Sequence, residues 1–452
     1  MFFSTKGGAL TGFLLLCCSG ASLVAAAGER WVDIWGSMPQ LVEPANLPSP
    51  PWNGSSSLFK NATLRQTVYI TQDASTIRVQ FSNAFGGSEL PITAATVALP
   101  VSNTNSSGAG TGAIKPETLR SLTFSGSSSF VVPNGALFVS DPISINVKAQ
   151  SVLTVTVYLA TGQSGFAITG HPGSRTTSFI APGNLVSAPD LSTASGVGKT
   201  DHWYFLSTIQ GNVPSSSGAL AIIGDSITDG RGSTTNANNR WPDQLLARLQ
   251  SSRSTKGISV INQAAGGNRI LADGLGPNAL GRIERDVLAH HSTKYVIVFI
   301  GVNDLGTAPL TEASLTATAD RLIAAYDQMI TRLHDAGIAV FGATITPMSG
   351  PGQVYGDPVR ENARQRVNQW IRTGTTGGGV GSKKGGGGKP GHGNNSGSKF
   401  DGVIDFDTAV RDKTNGTQLD ASYDSGDFLH LNPTGYKTMA AVVDLGLFER
   451  FR

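Results

Sequence analysis

The sequence predicts two architectures in series: an antiparallel β-sandwich of jelly-roll type, then an α/β domain built on a doubly wound parallel sheet. Three observations carry this. Before about residue 215, short segments such as Thr76-Ile77-Arg78-Val79-Gln80-Phe81 alternate polar and apolar residues, the period of a half-buried strand, and no convincing amphipathic helix occurs. Beyond it, nearly continuous apolar runs recur between helical patterns, as expected for parallel strands covered on both faces. Between the two lies Val213-Pro214-Ser215-Ser216-Ser217-Gly218, rich in turn formers.

Taken in order, residues 1–27 read as a secretory signal. Lys6 supplies a weak positive start, an apolar core follows to Cys18, and Ala25-Ala26-Ala27 offers small residues for cleavage. The core is too short to span a bilayer, so the expectation is a secreted, extracellular, soluble protein. Cys17 and Cys18 are the only cysteines, which leaves the mature chain without a disulfide, a thiol nucleophile or a cysteine-bound metal. Five Asn-x-Ser/Thr sites, at Asn53, Asn61, Asn105, Asn394 and Asn415, are candidate glycosylation positions. A formal net charge of +3 with no concentrated basic face suggests neither nucleic acid nor a membrane as partner.

The β-rich domain is expected over 28–215. Leu153, Val155, Val157 and Leu159 repeat the period of two, and Ile143, Ile145 and Val147 do so more briefly. Trp35, Trp52 and Trp203 could line a sugar groove, but Trp is so often largely buried that core packing is favoured.

The α/β domain is expected over 216–452. Apolar runs at 220–223, 258–261, 295–300, 338–345 and 403–406 read as strands. Leu315, Ala319, Leu322, Tyr326, Ile330 and Leu333 form one helical stripe. Val359, Ala363, Val367 and Trp370 form another, with Asp357 as cap and Pro358 in the first turn. A terminal helix is expected from Pro433 or Thr434. The segment 373–398 is glycine-rich with scattered lysines and His392. It cannot bury enough to offset its ordering entropy and reads as a solvated, disordered insertion.

The chemistry concentrates at strand ends. Ser226 follows the run 220–223, at the carboxyl edge where open α/β sheets place their ligands, and Gly224 permits a tight strand-to-helix turn there. Asp427 and His430 lie three residues apart in a short turn. The carboxylate can fix one imidazole nitrogen while the other takes a proton from a serine. Gly267, through its backbone N–H, and Asn303, through its amide, follow two further strands to the same edge. With the Ser226 N–H they are candidate donors to an oxyanion. The remaining histidines show no metal spacing, so neither metal nor organic cofactor is expected.

These blocks resemble the SGNH (GDSL) hydrolase superfamily. They are Gly224-Asp225-Ser226, Asn262-Gln263-Ala264-Ala265-Gly266-Gly267, Gly301-Val302-Asn303-Asp304 and Asp427-Phe428-Leu429-His430. The resemblance implies Ser226 as nucleophile, His430 as base, Asp427 as its partner, and Gly267 and Asn303 in the oxyanion hole. The second block is the loosest match. It leaves open whether Gly266 or Gly267 donates, with Gly267 favoured by its distance from Asn262. No Gly-x-Ser-x-Gly elbow occurs, which argues against an α/β-hydrolase. The segments 31–40, 82–86 and 282–286 are similar to a secreted subfamily of xylanolytic acylhydrolases and arylesterases, implying a flavodoxin-like three-layer catalytic fold preceded by a β-rich region. The expected activity is that of a serine esterase on small esters or acylated plant polysaccharide. The alternatives are a lipid-ester hydrolase and a catalytically inactive carbohydrate-binding or surface protein.

Overall fold

The chain's structure, a computed structural model, describes Met1 and residues 28–54, 56–102, 107–376 and 397–451. Residues 2–27 of the expected signal segment, most of the glycine-rich insertion, Asn105 and Asn394 lie outside these residues.

In the first half, two antiparallel sheets share one apolar core. One contains β1 (Glu29–Gly36). The other is centred on β2 (Ala62–Tyr69). Strand β3 (Ala74–Ser82) belongs to the first sheet, β4 (Val152–Leu159) to the second, and β5 (Leu206–Pro214) lies between β1 and β3. The period of two explains the packing. Leu153, Val155 and Val157 lie on the face that carries Leu64 and Val68 across the register, and Ile77, Val79 and Phe81 enter the same core from β3. Each such fully buried side chain contributes about 1.5–3 kcal/mol relative to exposure. Trp35, Trp52 and Trp203 are buried, and Trp35 meets Trp203 edge to face at 5.0 Å, so they pack the core rather than line a groove.

The second half is a five-stranded parallel sheet with helices between its strands. It begins with β6 (Gly218–Gly224), α1 (Ser226–Asp229), α2 (Trp241–Ser251) and β7 (Ile258–Ala264). Next come β8 (Thr293–Phe299), α3 (Val302–Thr307), α4 (Glu312–Asp335), β9 (Ala339–Ala343), α5 (Pro358–Thr373) and β10 (Gly402–Ile404). The spatial order is β7-β6-β8-β9-β10, all parallel, so the chain direction across the sheet reverses at β6. The six stripe residues of α4 are buried, and Asp357 caps α5 by accepting the Val359 N–H, with Pro358 at its start.

Three expectations are corrected at element ends. The run 403–406 is not all strand: the Asp405 side chain accepts the Thr408 N–H and starts a short helix, Phe406–Val410. Helix α5 extends through Thr373, one residue into the expected insertion. Helix α6 (Pro433–Val442) is not terminal, because α7 (Gly446–Arg450) follows and buries Leu447 and Phe448. Among the described residues no helix is long and apolar enough to cross a membrane.

The β-rich half closes the exposed edge of the parallel sheet. Ser37 bridges Asn262 of β7 in parallel fashion, Ser259 Oγ donates to the Asp33 carbonyl at 2.6 Å, and the Val260 N–H donates to Thr71 Oγ1 at 3.1 Å. An edge strand that would otherwise present unpaired backbone is thereby covered.

Candidate active site

Ser226 is the first residue of α1, where its N–H has no acceptor within the helix. Asp225 caps that helix through the Ile227 N–H at 3.1 Å. The turn admits no larger residue at position 224, since a Cβ there would meet Thr228 at 2.4 Å. Asp225 is buried, and that burial, with the nearby Asp304 and Asp229 charges, pushes its carboxyl up to about 7 against the opposing Ile227 bond.

Ser226 Oγ lies 2.7 Å from His430 Nε2, and His430 Nδ1 lies 2.6 Å from Asp427 Oδ2. The other carboxylate oxygen accepts the His430 N–H at 2.8 Å and the Leu429 N–H at 3.1 Å. The turn is tight enough to hold Phe428 at φ 57°. Partial burial raises the Asp427 carboxyl, but the His430 ring and these N–H groups outweigh it and hold it well below the usual carboxylate range. It is therefore an anion poised on one nitrogen of the ring whose other nitrogen faces the serine.

Gly267 and Asn303 reach the same place. Both line the cleft that contains Ser226 and His430, and Gly266 lines it too. Gly267 sits at φ +71°, the left-handed region in which a side chain is strained and glycine is favoured. Asn303 Nδ2 donates to the Asn268 carbonyl at 3.0 Å, and its Oδ1 accepts the Tyr355 hydroxyl at 3.1 Å. These bonds fix the amide and leave its second N–H to point elsewhere.

The sequence reading missed two residues that hold this edge together. Asp304 accepts the N–H groups of Ile270 and Leu271, both at 2.9 Å, pinning the loop after Gly267 to the start of α3. The fully buried Arg282 donates to the Gln263 carbonyl at 2.7 Å, to Asn268 Oδ1 at 3.1 Å and to Asp286 at 2.9 Å. Their positions within blocks already singled out, at 301–304 and 282–286, were the available signal.

The cleft, about 540 Å³, is not built by the second half alone. Gln40, Glu43, Asn46, Gly173, Arg175 and His202 come from the β-rich half. Gln40 ends the segment 31–40 noted in the sequence; Asn46 ends a short 3-10 helix, Pro44–Asn46, and the other four lie in turns and loops, none of them marked by a motif. A larger concavity of about 670 Å³ lies at the amino ends of β6 and β7, the opposite end of the strands from Ser226.

Residues 222–381 match the GDSL-like Lipase/Acylhydrolase family. This region is a GDSL-like hydrolase domain. The chain is accordingly a carboxylic ester hydrolase. Solved structures similar to the hydrolase include an acetyl xylan esterase from Geobacillus stearothermophilus, at 22% identity and TM-score 0.35, covering 52% of this chain and 95% of that one. A GDSL-like lipase from Bacteroides thetaiotaomicron is 15% identical, with TM-score 0.34, covering 51% and 88%. The acetyl xylan esterase AlAXEase is 19% identical, with TM-score 0.32, covering 49% and 96%. No curated protein matches the hydrolase sequence.

Proposed function

We propose that the hydrolase is a secreted serine esterase that removes short acyl groups from plant polysaccharide or small esters. The observation that carries this is the hydrogen-bonded series Ser226–His430–Asp427 opening onto a largely polar cleft.

Ser226 Oγ attacks the ester carbonyl as His430 Nε2 takes its proton, with Asp427 holding the ring and balancing the imidazolium. The N–H groups of Ser226 and Gly267 and the Asn303 amide receive the negative charge that develops on the carbonyl oxygen. The carbon–oxygen bond to the alcohol then breaks, His430 protonates the departing oxygen, and an acyl-serine remains. Water, deprotonated by His430, attacks that acyl group, and return of the proton to Ser226 frees the carboxylic acid.

The aliphatic side chains at the cleft are Pro172, Leu275 and Leu429, among many polar groups. That wall suits a sugar alcohol better than a long alkyl chain. Secretion rests on the character of residues 1–27, and glycosylation on the exposure of Asn53, Asn61 and Asn415. The strand order β7-β6-β8-β9-β10 supports reading 216–452 as a flavodoxin-like three-layer domain. Two antiparallel sheets over one core support reading 28–215 as jelly-roll-like.

The test is acid release by the purified mature chain from acetylated xylan, p-nitrophenyl acetate and a long-chain ester, beside Ser226→Ala. Serine-dependent release from xylan supports the whole reading. Release from the long-chain ester alone replaces the substrate with lipid. Polysaccharide binding without acid release from any ester would replace the mechanism with binding.

A further inference from the structure

The β-rich half brings charge to the cleft as well as shape, and the charges are not equally satisfied. Its acid is engaged: Glu43 Oε1 accepts the Gln40 amide at 2.5 Å, and Oε2 accepts the Asn46 amide at 3.0 Å. Asp229, deeper in the wall, pairs with His171 at 2.9 Å. Arg175 differs. It lines the cleft, yet its side chain has no hydrogen-bond acceptor or ion-pair partner among the described residues, and its Nε is buried without one. Its backbone is held at φ +50°, a conformation that costs a non-glycine residue energy and that the Asn236 N–H, bonded to the Arg175 carbonyl at 3.0 Å, helps maintain.

Arg231 lines the same cleft as Arg175. Arg231 is anchored beside the nucleophile by its N–H, which donates to the Ser226 carbonyl at 2.9 Å. Its guanidinium is largely exposed and lies 4.0 Å from Asp427, whose carboxylate is already bonded by His430. Arg231 therefore stands on the His430 side of the cleft that Arg175 also lines. The departing oxygen must reach His430 to be protonated, so this is where the alcohol portion of the ester lies.

We propose that the β-rich half builds the alcohol subsite of this cleft, and that Arg175, with Arg231, receives a carboxylate on the alcohol. The favoured substrates are then acyl esters of acidic, uronate-bearing sugars. The inference rests on the serine-esterase reading above and adds the chemistry of its leaving group. A guanidinium binds a carboxylate through charge-assisted, often bidentate bonds, and a neutral sugar cannot return that interaction.

The test compares kcat/KM for a mono-acetylated methyl glucuronide and the methyl xyloside acetylated at the same position, which lacks the carboxylate. The full mature chain should favour the glucuronide by roughly tenfold, mainly through KM, as one hydrogen bond to a charged group provides, and added salt should shrink the ratio. Arg175→Gln should bring the ratio close to one, and Arg175→Lys should keep part of it. Arg231→Gln changes an exposed side chain and provides the same readout if Arg175→Gln fails to fold. Equal kcat/KM for the two esters in the wild type would overturn the inference alone. So would a preference untouched by both glutamine variants. Acetate released from neither ester, nor from p-nitrophenyl acetate, would overturn the esterase reading beneath it.

Discussion

His171 Nε2 lies 2.9 Å from Asp229 Oδ1, joining the β-rich half to the helix that begins with Ser226. The other ring nitrogen faces the Met38 carbonyl at 3.0 Å, and both side chains are buried. Asp229 Oδ2 has no hydrogen-bond partner among the described residues, and a Cβ on Gly173 would meet it at 1.7 Å, so a second element of the β-rich half packs directly on this carboxylate. The nucleophile's helix is thus held from outside its own sheet. His171→Ala would leave Asp229 buried and unpaired. Such a loss typically costs about 3–5 kcal/mol, so equilibrium urea unfolding should show a large drop in stability, with kcat falling as Ser226 loses its position. An unchanged midpoint would show that the contact is incidental.

Asn303 is held by Asn268 on its nitrogen and Tyr355 on its oxygen, which orients an amide that would otherwise rotate. If that amide serves the oxyanion, Asn303→Ala should lower kcat by about 10²–10³-fold with little change in KM. Tyr355→Phe removes only the orienting bond and should cost much less. Steady-state kinetics on p-nitrophenyl acetate separates the two. A loss confined to KM in Asn303→Ala would assign the residue to ground-state binding instead.

The contact between the halves should also depend on pH. His290 Nδ1 lies 2.9 Å from Asp33 Oδ2. Burial alone would lower the His290 value, but the bond to Asp33 and its charge outweigh that and raise it above the ordinary 6.5. Burial would raise Asp33, but the same partner holds it below the ordinary 3.8. A raised histidine contributes stability that is complete below 6.5 and is lost as pH climbs through its folded value. A depressed carboxyl contributes above 3.8 and is lost on acidification. The pair is therefore strongest between those two ordinary values. In urea unfolding, the deficit of His290→Gln relative to wild type should be large at pH 6 and smaller at pH 9. A deficit equal at both would remove the charge from the explanation.

Much of the architecture was legible because burial imposes a period on the chain. Leu153, Val155 and Val157 could face one core only as a strand, and the stripe from Leu315 to Leu333 only as a helix. The chemistry was legible where it is local. Asp427 and His430 meet within one turn, and Ser226, Gly267 and Asn303 each follow a strand of one sheet. What escaped is non-local. His171 is 58 residues from Asp229, and Arg175, His202 and Glu43 enter the cleft from a different fold, through turns that carry no periodic signal. Element ends escaped for another reason. At Asp405 and Thr408 one side-chain hydrogen bond decided between strand and helix, and apolar patterning is blind to such a bond.

The proposed chemistry turns on attack by Ser226, activated by His430. The most direct measurement is to treat the purified protein with a fluorophosphonate, which phosphonylates an activated serine, and to locate the adduct by peptide mass spectrometry while following esterase activity. One adduct is expected, on Ser226, formed in step with loss of activity and abolished in His430→Ala. An adduct on another residue, or full inactivation with Ser226 unmodified, would contradict it.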